Sequence, residues 1–370
     1  MLINAPINHL INDLEVVMAK VLPDLSRRRL LLGSAAVGAA ALVAGCTSNK
    51  EDNADTNTSS QTRVNGGNNA APGKALTMGF SAPAADHGWI RAITDNAKKQ
   101  AALYSDVTFT QVDAGADAPA QIAALETLIQ QKPDVIVLLP QDGAQLTSAG
   151  KAAMQAGIPV VNLDREFSDA SASRLLIKGD NYGMGFAAGT YIAGKLGGKA
   201  NAVIAEIAGI DSLPLTQDRS RGFKDALAVH NLKVTNRVAA QFTAQSGQDV
   251  TANLLQAASH IDAIWNHDDD QGIGVLAAIK QANRKEFFMV GGAGSLDMMQ
   301  HIKAGDTPVV ATVTYPPTMA SSAISLARLI VQGKGMSDLV ELQVPQEIVL
   351  TSETITKDNV DKYLPLGFKS

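Results

Sequence analysis

The sequence predicts an α/β fold of two similar lobes, each a parallel sheet flanked by helices, joined by a hinge through which the chain crosses three times. Three observations lead there. From residue 75 onward, short apolar runs alternate with stretches of helical periodicity, the pattern that builds parallel sheets. The pattern around 119–142 recurs near 247–270, with Asp134 and Asp262 each opening an apolar run. Beyond residue 315 come further elements, and a tail that adds to both lobes forces three crossings, which make a hinge and leave a cleft.

Before the lobes, residues 26–31 read SRRRLL and lead into an apolar Ala/Gly-rich run that ends Ala44-Gly45-Cys46. A basic region, a short apolar region and small residues before a cut make an export signal over 1–45. The run is short for a membrane span of about 20 residues. Small residues directly before the single cysteine of the chain resemble a lipobox, which would make Cys46 the acylated mature N-terminus. The arginines after Ser26 resemble a twin-arginine signal, with ordinary Sec export as the alternative. Met18 is an alternative start. Residues 47–73 hold mostly Asn, Asp, Ser, Thr and Gly and cannot bury enough surface to offset their ordering entropy. The stretch 46–74 therefore reads as a lipid-anchored tether with a reach of roughly 30 Å.

Strands are expected at 75–81, 106–112, 134–139, 158–163 and 174–178, then at 200–207, 234–240, 262–266, 286–291 and 308–314. Helices fill the gaps. One face of a helix is carried by Ile122, Leu125, Leu128 and Ile129 before the Lys132-Pro133 stop. A helix from about Pro317 to Gln332 and two short strands around 340–351 complete the chain. These elements divide into an N-terminal lobe of 75–179 with 316–344 and a C-terminal lobe of 180–315 with 345–370.

The segment 158–167, IPVVNLDREF, organises the functional reading. Its apolar run stops at Asp164-Arg165, which places the pair at the carboxyl end of a buried parallel strand, where open α/β sheets bind ligands. A carboxylate beside a five-donor guanidinium suits a molecule rich in hydroxyls; an ion pair closing a surface turn is the alternative. Asp86-His87-Gly88-Trp89 follows the first strand, and Trp89 can offer a flat face to a sugar ring or fill the core. Tyr315 stands at an expected crossing and could do either job. In 267–270, HDDD, consecutive side chains splay apart, so the run does not read as a metal site; Asp268 can cap the next helix and Asp269 can face the cleft.

Composition and the absence of other motifs exclude much else. A net charge of −5 with 18% charged residues gives no basic footprint for nucleic acid. One cysteine excludes an intramolecular disulfide and a cysteine-rich metal site. The glycines of 183–189 follow GxGxxxG, one residue too long for a dinucleotide fingerprint, and read as small residues for close helix packing. The GxxxxGK string of 189–195 lacks the Ser/Thr of a phosphate loop. No GxSxG or HExxH is present, so no hydrolase centre, catalytic residue, cofactor or metal is expected.

Taken together, 158–167, GDNYGMGFAAG, DRSRGF at 218–223, the strand–HDDDQGIG unit of 262–274 and the TKDNVDKYL ending resemble the type I periplasmic sugar-binding proteins of ABC importers, the ribose-binding-protein-like family. The order and spacing of these motifs over about 300 residues carry the resemblance. It implies ligand contacts from Trp89 with Asp86 or His87, from Asp164 and Arg165, from Asp268 and from Tyr315. The family's arginine before DRxxGF falls on Gln217, so that contact is changed. Where the family reads VGFDG, this chain reads Val290-Gly291-Gly292-Ala293-Gly294, without the aromatic and the carboxylate. The resemblance further implies a monomeric, exported, lipid-anchored solute-binding protein that takes a sugar or polyol in the cleft and delivers it to an ABC permease. A ligand sensor for a membrane signalling partner is the alternative, followed by a secreted α/β enzyme. A repressor would need a DNA-binding segment where the signal and tether stand. Small residues at 292 and 293 are expected to leave volume, which disfavours ribose and favours a bulkier or less hydroxylated ligand.

Overall fold

The computed structural model describes residues 68–370 except 116, 338 and 340; the expected export signal, Cys46 and the expected tether up to residue 67 lie outside the described residues. Twelve strands are found among the described residues: β1 (Leu76–Ala82), β2 (Val107–Asp113), β3 (Val135–Leu138), β4 (Val160–Leu163), β5 (Leu175–Gly179), β6 (Ile204–Ala208), β7 (Val234–Ala239), β8 (Ala263–Asn266), β9 (Phe288–Ala293), β10 (Val309–Thr314), β11 (Glu347–Leu350) and β12 (Thr354–Thr356). Between them run α1 (Gly88–Ala102), α2 (Ala118–Gln131), α3 (Gly143–Gln155), α4 (Asn181–Leu196), α5 (Pro214–Val229), α6 (Ala244–Ala257), α7 (Asp269–Ala282), α8 (Leu296–Ala304), α9 (Met319–Gln332) and α10 (Val360–Tyr363).

The first sheet has the order β11-β5-β4-β3-β1-β2 and the second β12-β10-β9-β8-β6-β7. Apart from β12, which runs antiparallel to β10, all pairings are parallel. Each lobe is thus a doubly wound sheet with the same internal order, as the alternation of elements predicts. The repeat has a structural counterpart at its opening aspartates. Asp134 accepts from Thr77 N at 2.6 Å and Asp262 from Val203 N at 2.8 Å, each tying its strand to the neighbour.

The central strands are mostly apolar because both faces are covered by helices; Asn162, Glu206 and Asn266 are their buried polar exceptions. Every residue of β3, β4, β6 and β8 is buried. Polar side chains at strand ends start the helices: Asp117, Asp142, Asp268 and Ser295 accept from backbone N–H groups at the starts of α2, α3, α7 and α8. The small residues of 183–189 bring α4 against α5. A Cβ at Gly189 would stand 2.9 Å from the Phe223 carbonyl oxygen, and one at Gly185 would overlap the Arg219 carbonyl.

Two expectations are corrected. The tail strands lie at 347–350 and 354–356, and the first pairs with β5, so the N-terminal lobe extends to residue 350 and the last crossing falls between β11 and β12, not at 344/345. The end of the expected tether is also fixed. Arg328, buried in α9, donates to Asn69 O at 2.6 Å and Ala71 O at 2.8 Å while it pairs with Asp106 at 2.6 Å. Asp106 in turn accepts from Gly73 N. Polar composition alone could not reveal this, because the partners of 69–73 are more than 30 residues away.

Candidate functional site

The carboxyl ends of both sheets face one another. Loops and the helix starts that follow β1, β4, β6, β7, β8 and β10 deliver His87 and Trp89, Asp164 and Arg165, Leu215 and Arg219, Phe242, Asp268, and Tyr315 to a single cavity of about 20 Å³. That is room for about one water molecule. The site is therefore closed tightly around its own side chains.

Asp164 sits where the chain turns back from β4. Its φ is +65°, and Arg165 N donates to Leu163 O at 2.9 Å, which makes Asp164 the centre of a positive-φ γ-turn. That turn is rare and strained for a residue with a Cβ. The strain aims the carboxylate at the cleft, where it accepts from the Tyr315 hydroxyl. Burial raises the Asp164 pKa, against the pull of Tyr315, Arg165 and Arg219. Arg165 is held by Gln141 O at 2.6 Å, and its buried Nε–H finds no acceptor among the described residues.

Tyr315 occupies the crossing between β10 and α9. Its ring lies against Gly179 at the crossing after β5, where any Cβ would overlap it. Its carbonyl accepts from the Trp89 indole at 2.9 Å, and its hydroxyl also meets Asn181 Nδ2 at 3.2 Å. Arg219 closes the group. Its Nε donates to Asn181 Oδ1 at 2.9 Å, its Nη1 donates to His267 O at 3.2 Å, and its guanidinium lies 4.5 Å from the Tyr315 ring centroid. This is cation–π geometry.

The three aspartates of 268–270 do three different jobs. Asp268 caps α7 through Gln271 N and lines the cavity. Asp270 accepts from Trp89 N at 2.8 Å, so a carboxylate of the second lobe stabilises the N-terminus of α1 in the first. Asp269 faces away from the cavity. It is fully buried and accepts from Gly292 N, Gly294 N and Ser295 N at 2.8–2.9 Å and from the Thr312 hydroxyl at 2.9 Å.

The sequence-predicted residues thus divide. His87, Trp89, Asp164, Arg165, Asp268 and Tyr315 meet at the cavity. Asp86 does not line it; it is exposed and stands 2.5 Å from Nδ1 of the lining residue His87. Gln217 does not reach the cavity. It donates to Asp211 O and faces a surface depression with Arg221 and Arg237, because two steps along a helix turn a side chain by about 200°. Arg219 supplies the guanidinium in its place. The volume expected at Gly292 and Ala293 is absent as well: a Cβ at Gly292 would meet Met184 Cε at 2.6 Å and overlap the His267 carbonyl. These small residues instead let the backbone fold around Asp269, with Ala293 at φ +95° and Gly294 at +75°. Phe242, Leu215 and Asn181 were missed. Phe242, itself at φ +62°, had one available signal, an aromatic shortly after the end of β7 in a chain with 4% aromatics.

Closure also sets a pH dependence. Burial, helped by the Asp270 charge and opposed by His87 and Arg219, pushes Asp268 up to about 7. His87 is pulled down by burial, but Asp86, Asp268 and Asp270 outweigh this and leave it raised. Between about pH 4, the range of an unfolded aspartate, and pH 7, the folded chain keeps on Asp268 a proton that the unfolded chain has lost. This contribution therefore makes stability fall as pH rises through that window. Asp268→Asn should melt higher than wild type at pH 8 and show a shallower fall between pH 4 and 7 in thermal denaturation. Equal slopes would contradict the assignment.

Comparison with known proteins agrees with this geometry. The family described as "Periplasmic binding protein domain" matches residues 78–335. The ribose import binding protein RbsB of Bacillus subtilis (strain 168) is 29% identical over 280 residues, 75% of this chain and 89% of that protein. The galactofuranose-binding protein YtfQ of Escherichia coli (strain K12) is 28% identical over 312 residues, 81% and 94% of the two chains. A solved Mycobacterium smegmatis structure in complex with β-D-fucofuranose superposes with a TM-score of 0.71 at 27% identity, covering 79% of this chain and 94% of that one. The chain belongs to the periplasmic binding protein family, in its type I, sugar-binding branch.

Proposed function

We infer that this protein is an extracytoplasmic solute-binding lipoprotein of an ABC importer, which closes its lobes on a sugar or sugar-like molecule and presents it to the permease. The observation that carries the reading is the convergence of Asp164, Arg165, Arg219 and Asp268 with the rings of Trp89, Phe242 and Tyr315 between two lobes. Carboxylates accept from hydroxyls, guanidinium groups donate to ring and hydroxyl oxygens, and the aromatic faces cover C–H surfaces. The names of the relatives, a ribose binder and a galactofuranose binder, and the fucofuranose complex support a carbohydrate. The cavity of about 20 Å³ has no room for a sugar ring, so admission requires the crossings to act as a hinge.

Thermal-shift and calorimetric screening of pentoses, hexoses, polyols and deoxy sugars tests the reading. Stabilisation by at least one saccharide is expected, with ribose weak, because Ala293 stands where the family carries a carboxylate. Micromolar or tighter ribose binding would overturn the specificity; no response to any saccharide would overturn the function. Anchoring is tested separately. Cys46→Ala should move the protein from the membrane to the soluble fraction, since small residues precede Cys46 and a polar tether follows it. A variant that stays membrane-bound like wild type would remove the lipobox from the account.

A further inference from the structure

Beside the closed cavity lies a second chamber of about 250 Å³, against about 20 Å³ for the first. The two share Asp164, Arg165 and Leu215, so these residues stand between an inner and an outer space. The outer chamber alone approaches the roughly 300 Å³ at which small-molecule sites begin. Its walls come from both lobes: Lys178 on β5 and Glu347 and Val349 on β11 from the first, Tyr182 on α4 and Asp218 on α5 from the second. A group seated there touches both lobes close to the crossings and would favour closure as directly as a group in the inner cavity.

We propose that the ligand is an extended, uncharged saccharide of disaccharide size, with one ring in the inner cavity once hinge motion has widened it and a second ring or ring-sized substituent in the outer chamber. The proposal rests on the sugar-binding reading above and names the class of sugar. Three features of the chamber carry it. Its volume adjoins the inner site at Asp164 and Arg165, the two residues best placed to grip a saccharide. Between the two spaces, the buried Arg165 Nε–H has no acceptor among the described residues, and a bridging oxygen between two rings supplies one. The chamber's charges are mostly acceptors: Glu166 and Glu347 flank Lys178 at 2.6 and 3.1 Å, so the one ammonium is already engaged while the carboxylates retain free lone pairs for hydroxyl donors. An acidic wall of this kind repels carboxylated sugars and sugar phosphates. The extra room that small residues at 292 and 293 were expected to give is thus supplied elsewhere.

Calorimetry on the full chain compares galactose, glucose and arabinose with lactose, melibiose and maltose, with digalacturonate as the anionic control. At least one neutral disaccharide should bind tenfold or more tightly than its component monosaccharides, and digalacturonate should not bind. Val349→Trp, which fills the outer chamber from the exposed edge of β11 without touching the inner cavity, should erase that advantage and leave monosaccharide affinity within twofold. Monosaccharides binding as tightly as disaccharides, with Val349→Trp silent, would overturn the outer subsite and leave the sugar-binding reading standing. Tight digalacturonate binding would overturn the charge assignment. Failure of every saccharide would overturn both readings together.

Discussion

Asp164→Ala is expected to weaken binding of whichever saccharide stabilises the wild type by tenfold at least. A carboxylate in a closed site is worth about 1.5–3 kcal/mol for each hydroxyl hydrogen bond, and about 1.4 kcal/mol is a factor of ten. Stability should respond differently from affinity. Asp164 holds φ +65° at the centre of a γ-turn, a conformation that costs about 1–3 kcal/mol for a residue with a Cβ. Alanine keeps that strain and removes the acceptor of the Tyr315 hydroxyl; glycine also removes the acceptor but releases the strain. Asp164→Gly should therefore melt above Asp164→Ala while binding equally poorly. Calorimetry and thermal denaturation on the pair separate the two roles. Wild-type affinity in either variant would return Asp164 to a mere turn residue.

The largest loss of stability is expected one position from the cleft, not in it. Asp269→Ala deprives three backbone N–H groups and the Thr312 hydroxyl of their common acceptor in a site closed to water. Unmet buried donors cost about 1–3 kcal/mol each and do not add fully, so a loss of about 3–5 kcal/mol is reasonable. Asp269 is the acceptor shared by three amides on either side of Ala293, which stands at φ +95°, so β9 and the start of α8 should loosen with its loss. Asp269→Asn should recover little, because its amide brings donors to a cluster of donors. Urea denaturation of both variants against Asp268→Asn provides the measurement. A loss below about 1 kcal/mol for Asp269→Ala would defeat this account, in which Asp269 builds the loop and Asp268 lines the cavity.

Much of the architecture was legible in the chain. Alternating apolar runs and helical periods are local properties, and each is a direct consequence of a strand or helix having to bury one face. The same logic put Asp164-Arg165, Asp268 and Tyr315 at strand ends, and strand ends in a parallel sheet all open toward one side. Residue type and position along the chain were enough for those.

What only the tertiary structure decided is direction. Whether Gln217 or Arg219 enters the cleft depends on the roll of α5, which is set by Gly185 and Gly189 on a different helix. Which of three adjacent aspartates faces cavity, loop or opposite lobe is fixed by where β9 and α1 pack. Likewise, β11 joins the first sheet through hydrogen bonds to β5, a partner some 170 residues away, and its own sequence carries no mark of that choice. Short-range pattern records how a residue relates to its own element. How elements turn toward each other is settled by packing between distant segments, and a side chain's azimuth changes by about 100° with each helical residue, so the face it presents follows only from that packing.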